Sequence, residues 1–107
     1  MEKRIENIVT ALDEKKAENI EAIDLRGKDY MCDFVVIATA LNNKHSLSLV
    51  DNLKTALKPL GEEFLRIEED GEWSIIDMGD ILIHIMTETH REKYNIEEFL
   101  EEFRKGV

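Results

Sequence analysis

Residues 34 to 39, Phe-Val-Val-Ile-Ala-Thr, form an unbroken apolar, β-rich run. A strand with one wet face alternates apolar and polar side chains, whereas a run without that alternation suits a central strand covered on both faces. The chain therefore has to supply other elements above and below this strand. With 107 residues, 43% of them apolar, it holds enough material to do so within one domain spanning residues 1–107. One proline and five glycines provide no flexible linker, and no internal repeat or low-complexity tract divides the chain.

The flanking segments carry their own periodicities. Ile5, Ile8, Val9 and Leu12 fall on one helical stripe and predict a helix over about residues 2–16. Residues 20 to 26 alternate, with Ile23 and Leu25 on one side, and Gly27 closes them as a turn residue. Asn42 or Asn43 is placed to cap a second helix. Its stripe is Leu49, Leu53, Leu57 and Leu60, broadened by Val50 and Ala56, and it closes at Pro59 and Gly61. Three strands follow, over 64–69, 72–78 and 81–86. Asp70-Gly71 predicts a type I′ turn between the first two, and Gly79-Asp80 a type II′ turn before the third. Asn95 and Glu98 resemble a capping box ahead of a last helix with Ile96, Phe99, Leu100 and Phe103 as its stripe. The order α-β-β-α-β-β-β-α, with helices mixed among hairpins, argues for an α/β or α+β domain around a mixed sheet.

Charge narrows the function classes. Fourteen Lys and Arg face 24 Asp and Glu, for a net charge of −10. Nucleic-acid affinity comes largely from Lys and Arg releasing counterions, so direct nucleic-acid binding is disfavoured. Between Glu62 and Asp80 stand eight acidic residues and one basic residue, Arg66. That stretch is either a solvated face or a negative field that steers a basic partner. No apolar run is long enough to span a membrane, and residues 1–5 lack a signal peptide's apolar stretch, so a soluble, cytoplasmic protein is expected. The single cysteine, Cys32, excludes an internal disulfide and is expected to be a packing residue.

Chemistry is sparse. There is no G-x-x-x-x-G-K and no G-x-G-x-x-G phosphate loop. His45, His84 and His90 lack the i, i+4 spacing of paired metal ligands. His84, inside an apolar strand, is expected to be structural, and His90 simply exposed. Asp24, Asp77 and Asp80 lie near strand ends, where carboxylates could hold Mg²⁺ for nucleotidyl transfer. Such an enzyme would also want a Gly-Ser phosphate nest, and no Gly-Ser occurs. Trp73, the only Trp, shares a strand face with Ile75 and Asp77, while Ser74, Ile76 and Met78 share the other. Either Trp73 is core, or it is an aromatic anchor inside a charged rim, as at a protein–protein hot spot.

Taken together, Asp24-Leu25-Arg26-Gly27, Asp33-Phe34-Val35-Val36-Ile37-Ala38-Thr39, Gly71-x-Trp73-x-x-x-Asp77-x-Gly79-Asp80-x-x-x-His84-Ile85 and Arg91-x-x-Tyr94 resemble the ribosomal silencing factor, or Iojap, family over roughly residues 5 to 100. The chain departs from the family's usual pattern at three places: Thr39-Ala40 stands for Thr-Gly, Leu100 for Trp and Met86 for Phe. Ala40 cannot take positive φ without cost, so a different local turn is expected there. The resemblance implies a nucleotidyltransferase-like fold, with a mixed, roughly five-stranded sheet flanked by helices, but without that catalysis. It implies a non-enzymatic translation repressor, needing no cofactor and no metal, that binds the large ribosomal subunit through ribosomal large-subunit protein fourteen. That protein lies at the intersubunit face, where the bound factor blocks subunit joining when nutrients are short. The partner-binding residues so implied are Trp73, Ile75, Asp77, Met78, Gly79 and Asp80. Asp24 and Arg26 suit cross-strand charge pairing and are not counted among them. Unpaired sheet edges leave a homodimer of the free protein open.

Overall fold

The computed structural model describes residues 2–105, Phe103 through its backbone alone, so that residue's place in the last stripe lies outside the described side chains. Helix α1 (Glu2–Glu14) buries Ile8, Ala11 and Leu12 and ends two residues before the expected limit. Its last carbonyls are taken up early: Lys16, at φ 64, and Ala17 return their N–H groups to Asp13 and Leu12. Strand β1 (Glu18–Asp24) starts sooner than alternation predicts, with a register shift between Glu18 and Glu21 where Asn19 adopts φ 47.

Strand β2 (Phe34–Ala40) is buried at every position, as its composition demands. Ala40 continues that strand without positive φ, in keeping with the cost a Cβ carries in that region. Helix α2 (Asn43–Leu57) is capped by Asn42, whose side-chain oxygen accepts the His45 N–H at 2.8 Å. Leu49, Val50, Leu53 and Leu57 are buried, but Leu60 is 60% exposed. The helical spacing that placed Leu60 on the stripe stops at Leu57, because Lys58–Leu60 tighten into a 3-10 turn before Gly61 at φ 91.

Strands β3 (Arg66–Glu68), β4 (Trp73–Asp77) and β5 (Ile81–Thr87) are shorter or shifted relative to expectation. The register Glu68↔Ile75 centres the β3–β4 turn on Gly71-Glu72 rather than Asp70-Gly71. Trp73 N–H donates to the Asp70 carbonyl across it, and neither central residue has positive φ, so it is not type I′. Gly71 serves a different need: a Cβ there would stand 2.6 Å from the Asn43 Cβ at the start of α2. The β4–β5 turn is as expected, with Met78 and Ile81 closing Gly79-Asp80 and Gly79 at φ 89.

One element was not anticipated. Thr87 leads directly into α3 (Glu88–Tyr94), and only then α4 (Ile96–Arg104) follows, giving one helix more than expected. Asn95 sits between them in left-handed backbone, and its amide donates to the Glu98 carboxylate; the pair meets, but not through capping-box bonds. Leu100 is buried, whereas Phe99, expected on the same stripe, is 60% exposed.

The sheet order is β1-β2-β5-β4-β3, with β2 and β5 parallel and every other pair antiparallel. One face lies under α1 and α2, where Ile8, Leu12, Leu49 and Leu53 meet Val36, Ala38, Ile83 and Ile85. The other face carries a smaller core of Ile23, Leu25, Cys32, Val35, Ile37, Met86 and Leu100. Cys32 is the packing residue expected: it is buried, its Sγ donates to the Phe34 carbonyl, and burial pushes its thiol up to about 11.

Candidate protein-binding face

Because successive residues of a strand point to opposite faces, the register fixes which side chains share the second face. One row runs Ile23, Val35, Leu82, Asp77, Arg66; the next runs Ile37, His84, Ile75, Glu68. The β1–β2 end of these rows is buried, with Leu100 of α4 packed into it. The β3–β4 end is not: Trp73, Ile75, Asp77, Leu82 and His84 are half-buried, and Arg66 and Glu68 are exposed. Here the sheet forms the floor of a groove of about 290 Å³, walled at one side by Tyr30 and Met31. Met31 is 76% exposed.

Trp73 occupies the next row, opposite Met86. Its ring centroid lies 5.0 Å from Tyr94 and 5.9 Å from His84, both tilted, an attractive aromatic geometry. Its Nε1–H donates to His84 Nδ1 at 3.0 Å. An indole nitrogen only donates, so His84 accepts at Nδ1 and, as the neutral ring, carries its proton on Nε2. Burial holds His84 neutral, pushing its pKa down to about 4. Trp73 is thus neither sealed in the core nor loose on the surface; its indole is held in a fixed pose with part of the ring accessible.

Arg91 sets that pose from a distance. It is buried, donates to the Asn19 carbonyl and to Thr39 Oγ1, and pairs with Glu97 at 3.2 Å. These bonds pin α3 across the ends of β1 and β2, which carries Tyr94, one turn later, onto Trp73. His90, expected to be simply exposed, is half-buried beside Tyr94, with Nε2 3.1 Å from a Glu72 carboxylate oxygen.

Of the six residues implied as partner-binding, Trp73, Ile75 and Asp77 come together on this face. Met78 does not: it is buried in the core beneath α1 and α2. Gly79 is the exposed tip of the turn, and its N–H is bound by the Asp77 carboxylate at 2.8 Å. Asp80 turns toward α1, where Arg4 grips it together with Glu62, and the guanidinium holds its carboxyl below the usual range. The face also takes in His84, Leu82, Tyr30, Met31 and Tyr94, which the sequence reading did not assign to it. Alternation within residues 81–86 already put Leu82 and His84 on one side; the missing element was the register that sets His84 beside Ile75.

The acidic stretch is less free than its charge count suggests. Glu62 and Asp80 pair with Arg4, Glu68 with Arg66, Glu69 with Lys54, and Glu72 with His90. The candidate Mg²⁺ carboxylates are occupied separately. Asp24 is held by Arg26, which lowers its pKa to about 2, Asp80 by Arg4, and Asp77 by the Gly79 N–H. Among the described residues, no three His, Cys, Asp or Glu side chains gather as a metal site.

The profile of the family described as "Ribosomal silencing factor during starvation" matches residues 1–105. The chain belongs to the ribosomal silencing factor family. It is 33% identical over 91 residues to "Ribosomal silencing factor RsfS" of Halalkalibacterium halodurans, a match covering 83% of this chain and 78% of that protein. It is 26% identical to mouse "Mitochondrial assembly of ribosomal large subunit protein 1", over 87% of this chain and 43% of that one. A Chromobacterium violaceum crystal structure superposes with a TM-score of 0.89 at 25% identity, over 94% of this chain and 86% of that one. The resemblance seen in the Trp73–His84 block is therefore borne out, and with it the mixed five-stranded sheet flanked by helices. Within a silencing factor, the block's residues acquire a shared location: Gly71 seats the hairpin on α2, Gly79 makes its turn, and Trp73 and His84 join across β4 and β5.

Proposed function

We propose that the chain is a non-enzymatic translation repressor that docks the open end of its sheet on a protein of the large ribosomal subunit and blocks small-subunit joining. Membership of the silencing factor family supports a ribosome-associated role. The observation that carries the docking reading is Trp73. It is an accessible aromatic side chain with its pose fixed by His84 and Tyr94, beside Ile75, on the uncovered end of the sheet. Pre-ordered aromatic anchors of this kind dominate protein–protein affinity. A net charge of −10 disfavours rRNA and suits a basic ribosomal protein. The partner we propose is ribosomal large-subunit protein fourteen, at the intersubunit face, and the proposed setting is the cytoplasm under nutrient limitation.

The test is co-sedimentation of the purified protein with large and small subunits, together with light scattering of subunit joining. Retention on large subunits and slowed joining are expected. Absence from large subunits, or retention without slowed joining, would overturn the proposal. The nucleotidyltransferase alternative has little support, since Asp24, Asp77 and Asp80 are engaged separately. Calorimetry with Mg²⁺ and ATP is expected to show no saturable heat.

A further inference from the structure

We propose, resting on the docking reading above, that His84 is a second recognition point on the open sheet face, its Nε2–H donating a hydrogen bond to a neutral carbonyl of the docked protein.

The tautomer is dictated from inside the protein. Trp73 Nε1–H can only donate, so the lone pair of His84 that meets it is on Nδ1, and the ring proton is on Nε2. Among the described residues, nothing accepts that proton; the bond to Trp73 is the ring's hydrogen bond. Nor is His84 sealed in the core: the residue is half-buried and faces the open groove. His84 lines the groove floored by Ile75 and Leu82 and walled by Tyr30 and Met31.

A partner that covers this groove shuts its polar groups off from solvent. A donor buried without an acceptor costs more than a hydrogen bond returns, so a well-fitted partner has to supply an acceptor at that point. The surroundings select its charge. Glu68 and Asp77 line the same groove, and Arg66, the neighbouring cation, is already bonded to Glu68. A carboxylate would be placed among like charges, whereas a backbone or amide carbonyl would not. His84 thereby discriminates between partners of equal basicity: one offering an apolar group at that spot is rejected.

The experiment begins on the free protein labelled with ¹⁵N at histidine. NMR is expected to show His84 as the Nε2–H tautomer; the Nδ1–H tautomer would overturn the proposal. Addition of purified ribosomal large-subunit protein fourteen to saturation is expected to shift the Nε2 resonance and slow exchange of its proton. An unmoved resonance in a saturated complex would overturn the proposal without any variant. His84→Asn keeps a carbonyl near the Nδ1 position and lacks the outward donor. It is expected to leave Trp73 fluorescence unchanged while weakening large-subunit binding roughly tenfold, the ratio for one hydrogen bond. Wild-type affinity in His84→Asn, with Trp73→Ala still defective, would overturn the role of His84 alone. Wild-type affinity in Trp73→Ala as well would overturn the docking reading and this proposal together.

Discussion

The two ends of one sheet face follow the same alternation and reach opposite outcomes. At the β1–β2 end, Ile23, Val35 and Ile37 lie buried with Leu100 of α4 against them. At the β3–β4 end, Ile75 and Leu82 occupy the same rows, yet stay half-buried. The difference is the last layer. Where α4 packs, the floor is apolar throughout; beyond it, among the described residues, α3 reaches only as far as Tyr94 on Trp73, and the floor is apolar in part and polar in part, with polar groups bonded to one another. Trp73 with His84 and Asp77 with the Gly79 N–H are such bonds. A surface built this way stays ordered without a cover, which is what a surface held ready for a partner requires.

The largest test of the comparison lies in two neighbours on β5 that point to opposite faces. Ile83 is fully buried under α1 and α2, so Ile83→Ala should cost about 2–5 kcal/mol in urea unfolding. Leu82→Ala, half-exposed, should cost markedly less. Equal costs would erase the distinction between covered and open regions.

The next effect is in pH. Unfolded His84 titrates near 6.5, whereas the folded ring resists protonation until about pH 4. Between those values the unfolded state binds a proton that the folded state does not. Stability therefore falls as pH drops from 6.5 to 4, by on the order of 3 kcal/mol at the limit. His84→Asn removes this titration, so the stability gap between wild type and variant should narrow over that window. A gap that stays constant would mean that the ring is not held neutral by burial.

Trp73→Ala is expected to lower large-subunit affinity by on the order of 2 kcal/mol, about thirtyfold. Its stability should fall by less than the roughly 3–5 kcal/mol of a fully buried Trp. A variant that loses its fold first would put Trp73 with the covered end. Smallest is Asn42→Ala, which removes the α2 cap on the covered face. It should cost about 1 kcal/mol of stability and leave large-subunit binding untouched, separating weakened fold from weakened docking.

Legibility in the sequence followed the same division. The covered parts announce themselves through apolar periodicity: β2, the α2 stripe and its Asn42 cap, and the two cores they imply. The β4–β5 turn was legible because Gly79 takes a backbone that demands glycine. Helix α3 was not, since Glu-Thr-His-Arg-Glu-Lys-Tyr has no apolar stripe and depends on Arg91 reaching Asn19 and Thr39. The β3–β4 turn misled because Gly71 is needed for close approach to Asn43, not for its φ. At the candidate site, alternation put Trp73, Ile75 and Asp77 on one side and Met78 on the other. The bond from Trp73 to His84 crosses between strands, and no pattern along a single strand encodes it.

The parallel pairing of β2 with β5 has a consequence for how the molecule is made. Residues 34–40 find their partners at 81–87, nearly half the chain away, and α2, β3 and β4 all lie in the loop between. Contacts of that separation demand loop closure before they return any energy, which slows folding. On a translating ribosome the most apolar strand emerges early and its central neighbour late. For that interval one edge of an uncharged strand, the edge not paired with β1, is open to other nascent chains, the state in which aggregation begins. The chain thus depends on synthesis finishing quickly enough to cover its own centre.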